Sequence, residues 1–319
     1  MRNMAARNIR VCYLNADYCV PAVQATRAPT YGSIFHHLLC AAAKESPSGT
    51  TISSQEFDVI RGEYPESLDH VDAIVVSGSA SSSYDDLPWI KRLDQFIRHV
   101  YDNFTSIKIF GSCFGHQIMC QSILREYGVR TEVDPNGWEI GVKDITLNKG
   151  FRDVFGHGLN EAFGAFEIPE TLRLQFVHHD HVVVPRPETL PATWMMLGST
   201  EHCAVQGVYE PGRILTYQGH FEFDKFVNSE TVKYFFPTWH EEVLKEALDA
   251  IDADDDSITA ACMVLRFFLE DGQKIQSRSP ETAILLNAPI DSKSEVDQAN
   301  LEHTNGLSAN TRPYVEQIA

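Results

Sequence analysis

The stretch Ile107-Lys-Ile-Phe-Gly-Ser-Cys-Phe-Gly-His-Gln-Ile-Met119 decides the fold. Its first four residues read as a short buried strand, and the segment after Cys113 reads as an amphipathic helix running to about Gly128. Between them stands G-x-C-x-G, the thiol counterpart of the strand–turn–helix elbow that presents a nucleophile. A turn this tight leaves no room for a Cβ at either flank. It sets Cys113 at the sheet edge and at a helix N-terminus, where partial positive charge favours an anion. The amide of Phe114 faces the same space and is an oxyanion-donor candidate.

Working outward, strands and helices alternate. Strands are expected over 9–14, 51–60, 71–76 and 107–110, and helices over 31–43, 87–101 and 114–127. Helix 31–43 carries apolar residues at 34, 35, 38, 39 and 42, and Pro88 suits the first turn of its helix. This alternation predicts an α/β fold with a mostly parallel sheet, whose functional residues gather at the carboxyl ends of its strands. From Val129 to Arg213 the texture changes to short strands and loops, including 172–184. A strand returns at Ile214–Gln218, and helices are expected over 226–251 and 257–269.

A free thiol has a pKa of about 8.5 and is mostly protonated at neutral pH, so Cys113 needs a base. The segment Gly212-Arg-Ile-Leu-Thr-Tyr-Gln-Gly-His-Phe-Glu-Phe223 supplies one. Its strand delivers His220 to the same sheet edge as Cys113. Two residues on, Glu222 lies on the same face of an extended backbone and can fix the imidazole tautomer.

Composition narrows the function. The chain has 319 residues and a net charge of −18, so it offers little to neutralise phosphates, and neither a nucleic-acid nor a membrane partner is expected. From Glu241 to Ala319 there are 16 acidic and 6 basic residues, which concentrates more than half of that charge in the last quarter. The seven cysteines form no C-x-x-C pair, which predicts reduced thiols and a cytoplasmic protein. The N-terminal segment reads as neither signal peptide nor membrane span.

His178, His179, Asp180 and His181 form the densest metal-like cluster, with His36-His37 as a second pair. Metal-site histidines are usually spaced i, i+4 on a helix or lie far apart, whereas adjacent strand residues point to opposite faces. No metal site and no cofactor are expected.

Together these segments resemble the class I glutamine amidotransferases. Gly111, Cys113, Gly115 and Gln117 match the family's G-x-C-x-G-x-Q, and Gln218, His220 and Glu222 match its Q-x-H-P-E. Ser77-Gly-Ser matches its oxyanion loop, and Val177–Pro185 is similar to its S-H-x-D-x-V-x-x-L-P segment. Ser77–Ile90 and Gly137-Trp-Glu-Ile-Gly141 resemble the stand-alone fungal and plant branch that includes the γ-glutamyl peptidases. The resemblance covers residues 9–235 and implies a flavodoxin-like sheet flanked by helices. A helical extension over 236–275 and an acidic flexible tail over 276–319 would follow.

The resemblance further implies Cys113 as nucleophile, His220 as acid/base and Glu222 as its orienting partner. Gly78 and Phe114 would supply oxyanion amides, and Gln117, His178 and Asp180 would line the substrate site. The substrate would be glutamine or a γ-glutamyl compound, cleaved through a γ-glutamyl thioester. As an amidotransferase the protein would pass ammonia to a separate synthetase, in a small-molecule biosynthetic pathway. As a peptidase it would cleave glutathione-like conjugates. A third reading is a non-catalytic relative with a binding role. Three residues depart from the pattern: Phe221 replaces the usual Pro, Ser77-Gly-Ser replaces Gly-Gly, and Val177 replaces Ser.

Overall fold

The structure is a computed structural model that describes residues 7–45, 49–157 and 167–270. The tail expected over 276–319, and the end of the extension expected before it, lie outside the described residues.

The strands are β1 (Asn8–Asn15), β2 (Thr51–Asp58), β3 (Ala73–Val76), β4 (Lys108–Ser112), β5 (Arg130–Val133), β6 (Glu139–Leu147), β7 (Thr171–His178), β8 (Asp180–Val183), β9 (Met195–Met196), β10 (Gly198–Ser199), β11 (Val208–Glu210) and β12 (Ile214–Tyr217). The helices are α1 (Pro21–Thr26), α2 (Tyr31–Glu45), α3 (Pro88–Asn103), α4 (Phe114–Leu124), α5 (Lys149–His157), α6 (Lys225–Phe235), α7 (Glu241–Ile251) and α8 (Ser257–Leu269).

The main sheet has the order β2-β1-β3-β4-β12-β11-β9. Its first five strands are parallel, and β11 and β9 extend it antiparallel. Two small antiparallel sheets, β10-β6-β7 and β5-β8, stand beside it.

The period-2 rule sorts the core into two layers. Val11, Tyr13, Val75, Phe110, Leu215 and Tyr217 face one side with α2 and α8. Cys12, Leu14, Ile74, Val76, Ile109 and Ile214 face the other with α3 and α4. Both faces are covered, which explains why β3, β4 and β12 are buried at every residue. The helix α8, expected as part of an extension, packs in the same core as α2 and is buried from Ala260 through Leu269. Its Arg266 is reconciled with burial by donating to the Gly156 carbonyl at 2.8 Å.

One expected helix is corrected. The run 226–251 is two helices, α6 and α7, because Pro237 has no amide to continue the first. Phe236 stacks on Trp239 at the corner, with ring centroids 4.0 Å apart. The elbow helix ends as α4 at Leu124, and a 3-10 turn carries the chain to a left-handed Gly128.

Strand register aligns the functional ends. Val76 pairs with Gly111, and Ser112 pairs with Tyr217. The loops leaving β3, β4 and β12 therefore begin level with one another, about 4.8 Å apart from strand to strand.

Candidate active site

Cys113 has φ 50° and ψ −106°, and it alone combines a side chain with positive φ among the described residues. Such a conformation costs about 1–3 kcal/mol and persists only where its surroundings enforce it. The Cys113 amide donates to the Tyr217 carbonyl at 2.8 Å, and its carbonyl accepts from Gln117 at 3.0 Å. The flanking glycines permit the approach of α4. A Cβ on Gly115 would fall 2.3 Å from the Val76 carbonyl oxygen, and one on Gly111 would fall 2.5 Å from the Gly115 backbone. Gly115→Ala is expected to lower stability by about 3 kcal/mol, because rigid backbone must shift. An unchanged thermal midpoint for that variant would show that α4 does not pack this closely on β3.

His220 follows β12. Its amide donates to the Gln175 carbonyl of β7 at 2.8 Å, an isolated bridge that fixes it over the sheet end. Its Nδ1 lies 2.7 Å from Glu222 Oε1, and its ring stacks on Phe223 with centroids 4.0 Å apart. Cys113, His220 and Glu222 are all buried. Burial alone would lower the His220 pKa. The charges of Glu222 and Cys113 outweigh it and raise the pKa to about 10. Gly78 sits between the two reacting groups: a Cβ there would lie 2.9 Å from His220 Cε1 and 3.6 Å from Cys113 Cβ. Phe114 opens α4, where the first amides have no intrahelical acceptor.

Phe221, in place of the usual Pro, is fully buried against Phe35, Phe110 and Tyr217. Core packing of this ring, rather than a proline, holds the turn between His220 and Glu222.

The remaining expected residues form a wall beside α4. Gln117 donates to the Asp180 carbonyl at 2.9 Å and to Gln218 Oε1 at 3.1 Å. Asp180 Oδ1 accepts from the Tyr84 hydroxyl at 3.0 Å. His178 has both nitrogens engaged, with Nδ1 3.0 Å from the Asp180 carbonyl and Nε2 2.8 Å from Glu139 Oε2. The cluster 178–181 is split by a bend at His179, where β7 gives way to β8 in a different sheet: His178 meets Glu139, His179 stacks on Trp138, and His181 meets Asp134.

A model of the glutamine amidotransferase class-I family matches residues 30–236. The chain belongs to this family. A glutamine amidotransferase-like protein of Schizosaccharomyces pombe is 30% identical over 267 residues, spanning 82% of this chain and 98% of the relative. Gamma-glutamyl peptidase 3 of Arabidopsis thaliana is 29% identical over 205 residues, spanning 64% of this chain and 74% of the relative. The crystal structure of a glutamine amidotransferase from Thermotoga maritima shares the fold, with a TM-score of 0.56 and 18% identity over 82% of this chain and 99% of that one. The class I amidotransferase fold that the resemblance implied is therefore the fold observed.

Several supporting residues escape the motifs. Ser112 donates to both Glu222 oxygens, at 3.0 and 3.2 Å. It directly precedes Cys113, so its identity was visible in the elbow but its partner was not. Glu139 accepts from Thr200 at 2.7 Å and from Gln206 at 2.7 Å, besides meeting His178. Burial works to raise its carboxyl pKa, but those bonds outweigh it and hold the pKa below its ordinary value. Asp17, after β1, accepts from the amides of Tyr18 and Ala80, both at 2.7 Å, and so ties that loop to the Gly78 loop. No described helix is long and apolar enough to cross a membrane, and all seven cysteines are unpaired.

Proposed function

We propose that the protein hydrolyses a γ-glutamyl amide through Cys113, His220 and Glu222. The observation that carries this reading is the buried thiol–imidazole–carboxylate set at the level ends of β4 and β12, with Gly78 alongside. His220, its pKa raised to about 10, holds the proton that the leaving group will need. The thiolate attacks the γ-carbonyl carbon, and its oxygen takes the negative charge before the amides of Gly78 and Phe114. The imidazolium gives its proton to the leaving nitrogen, the C–N bond breaks, and a γ-glutamyl thioester remains. Water then attacks, His220 takes the water proton, and the C–S bond breaks to give glutamate and the thiolate. Gln117 and the Asp180 wall border the glutamyl group. The three side chains and water suffice for these steps.

The leaving nitrogen separates two substrates. With glutamine it is ammonia, which an amidotransferase passes to a separate synthetase, in keeping with a biosynthetic role. With a γ-glutamyl peptide it is an amine, and the similarity to the Arabidopsis peptidases favours that second reading. Parallel assays of ammonia from glutamine and of amine from glutathione test the proposal. Glutamate is expected from at least one, and the ratio of kcat/KM assigns the substrate. Glutamate from neither, with folded protein, would refute both and leave a binding role.

A further inference from the structure

A second cluster of reactive side chains lies outside the candidate active site. Asp134, His181 and Cys203 each bring one ligand-type atom to within 4.8 Å of the others. They come from three separate segments: the turn after β5, the strand β8, and the loop between β10 and β11. His202 joins them. Asp134 Oδ2 lies 3.2 Å from His181 Nδ1 and 3.6 Å from His202 Nε2.

The hydrogen bonding around this cluster is incomplete. The Asp134 side chain has no solvent exposure, and its Oδ1 accepts from the Asn136 amide at 2.8 Å. Its Oδ2, together with Nε2 of His202, is buried without a hydrogen-bond partner among the described residues. His181 approaches Oδ2 through Nδ1, and its own Nε2 is turned toward Glu132 Oε1, 4.0 Å away. A buried carboxylate oxygen aimed at two imidazoles and a thiol is costly unless a cation joins them. The loops are fixed around it. The Asp134 amide donates to the His179 carbonyl at 2.8 Å, the Asn136 side chain donates to the His202 carbonyl at 2.9 Å, and the Cys203 amide donates to Thr200 Oγ1 at 3.1 Å, while the Cys203 thiol rests 3.7 Å from the Val205 carbonyl, a contact that a metal bond would replace.

We propose that Asp134, His181, His202 and Cys203 form a structural site for a zinc-like divalent cation. The donor set combines one thiolate, two imidazoles and one carboxylate, which suits zinc above calcium or magnesium. Bonds of 2.0–2.1 Å in a tetrahedron place neighbouring N and O donors about 3.3–3.4 Å apart, close to the spacings around Asp134 Oδ2. Three of these donors are already gathered, and a shift of His202 toward them would close a four-ligand shell, as in sites that stabilise rather than catalyse. Binding forms an S–metal bond and releases the Cys203 proton to solvent. The partly exposed His181 and His202 rings leave the cation an entry path. On β8, Asp180 and His181 point to opposite faces. The cation therefore sits behind the Asp180 wall and pins it toward Gln117 and α4.

Cobalt tests the site. Full-length protein is stripped with a chelator and titrated with Co²⁺, then with Zn²⁺. One Co²⁺ per chain is expected, with visible bands of tetrahedral type and a thiolate-to-cobalt charge-transfer band. Zn²⁺ displaces it and raises the thermal midpoint by about 5–10 °C at ~100-fold excess over Kd. Cys203→Ser loses the charge-transfer band, whereas Cys113→Ala keeps it. His202→Gln, a substitution at a ring that is partly exposed, weakens affinity about tenfold or more even if Cys203→Ser fails to fold. Absence of the band and of the Zn²⁺ shift would overturn the proposal, and so would a band lost in Cys113→Ala but kept in Cys203→Ser. Unchanged affinity in folded His202→Gln would overturn the four-donor site.

Discussion

Replacing Cys113 with alanine is expected to abolish glutamate release, by roughly 10⁴-fold or more, while the protein remains folded. The loss follows from the mechanism, because no other cysteine shares this position. Cys120, the next thiol along α4, is fully buried and pushed by that burial far above the ordinary thiol range, so it cannot replace the nucleophile. Folding should survive, since the elbow is imposed by its neighbours. Gly111 and Gly115 make room for it, and the Cys113 amide is tied to Tyr217. The positive φ is a strain that the surrounding fold imposes on residue 113 and that any side chain there must bear. Cys113→Gly would relieve it, so that variant should be inactive yet at least as stable as the natural protein. A Cys113→Ala variant that still released glutamate at a substantial rate would remove the thioester from the mechanism.

Glu222→Gln is expected to lower kcat by about 10²–10⁴-fold with a smaller change in KM. The amide is nearly isosteric and keeps a partner in Ser112, so packing is preserved. It removes the charge that Glu222 places 2.7 Å from His220 Nδ1. The pH profile gives an independent reading. His220 must be protonated to deliver a proton to the leaving nitrogen. Its pKa is raised from 6.5 to about 10, so amide cleavage should persist through neutral pH and fall as pH passes about 10. Without the Glu222 charge this alkaline limb should move down toward 6.5, with Cys113 alone still opposing burial. A limb that stays in place in Glu222→Gln would show that the carboxylate does not govern the imidazole.

Much of this was legible in the sequence where the constraint is local. The elbow could be read because a strand, a tight turn and a helix leave few residues at 111–115. His220 and Glu222 could be paired because side chains two apart share a face in extended backbone. The inner parallel strands β3, β4 and β12 showed as short, mostly apolar runs because both faces of the sheet are covered there, whereas the edge strand β2 is largely exposed and polar. Other features depend on segments far apart in the chain. The antiparallel β11 and β9 are only three and two residues long, too short for a periodic signal. Ser112 reads as an ordinary turn residue until Glu222 is brought to it from 110 residues away. The run 178–181 was expected to divide between two faces, but its partners were not visible: the chain bends at His179 between two sheets, which brings His178 to Glu139 and His181 to Asp134. The break at Pro237 was visible as a residue, and the apolar pattern on both sides of it outweighed it in the reading.

The most direct test of the central claim is mass spectrometry of the full chain after treatment with a glutamine-analogue electrophile. A single adduct is predicted on Cys113, blocked by prior incubation with the true γ-glutamyl substrate and absent in Cys113→Ala. A folded protein that remains unlabelled, or whose adduct maps to another cysteine, would contradict the assignment of Cys113 as the nucleophile.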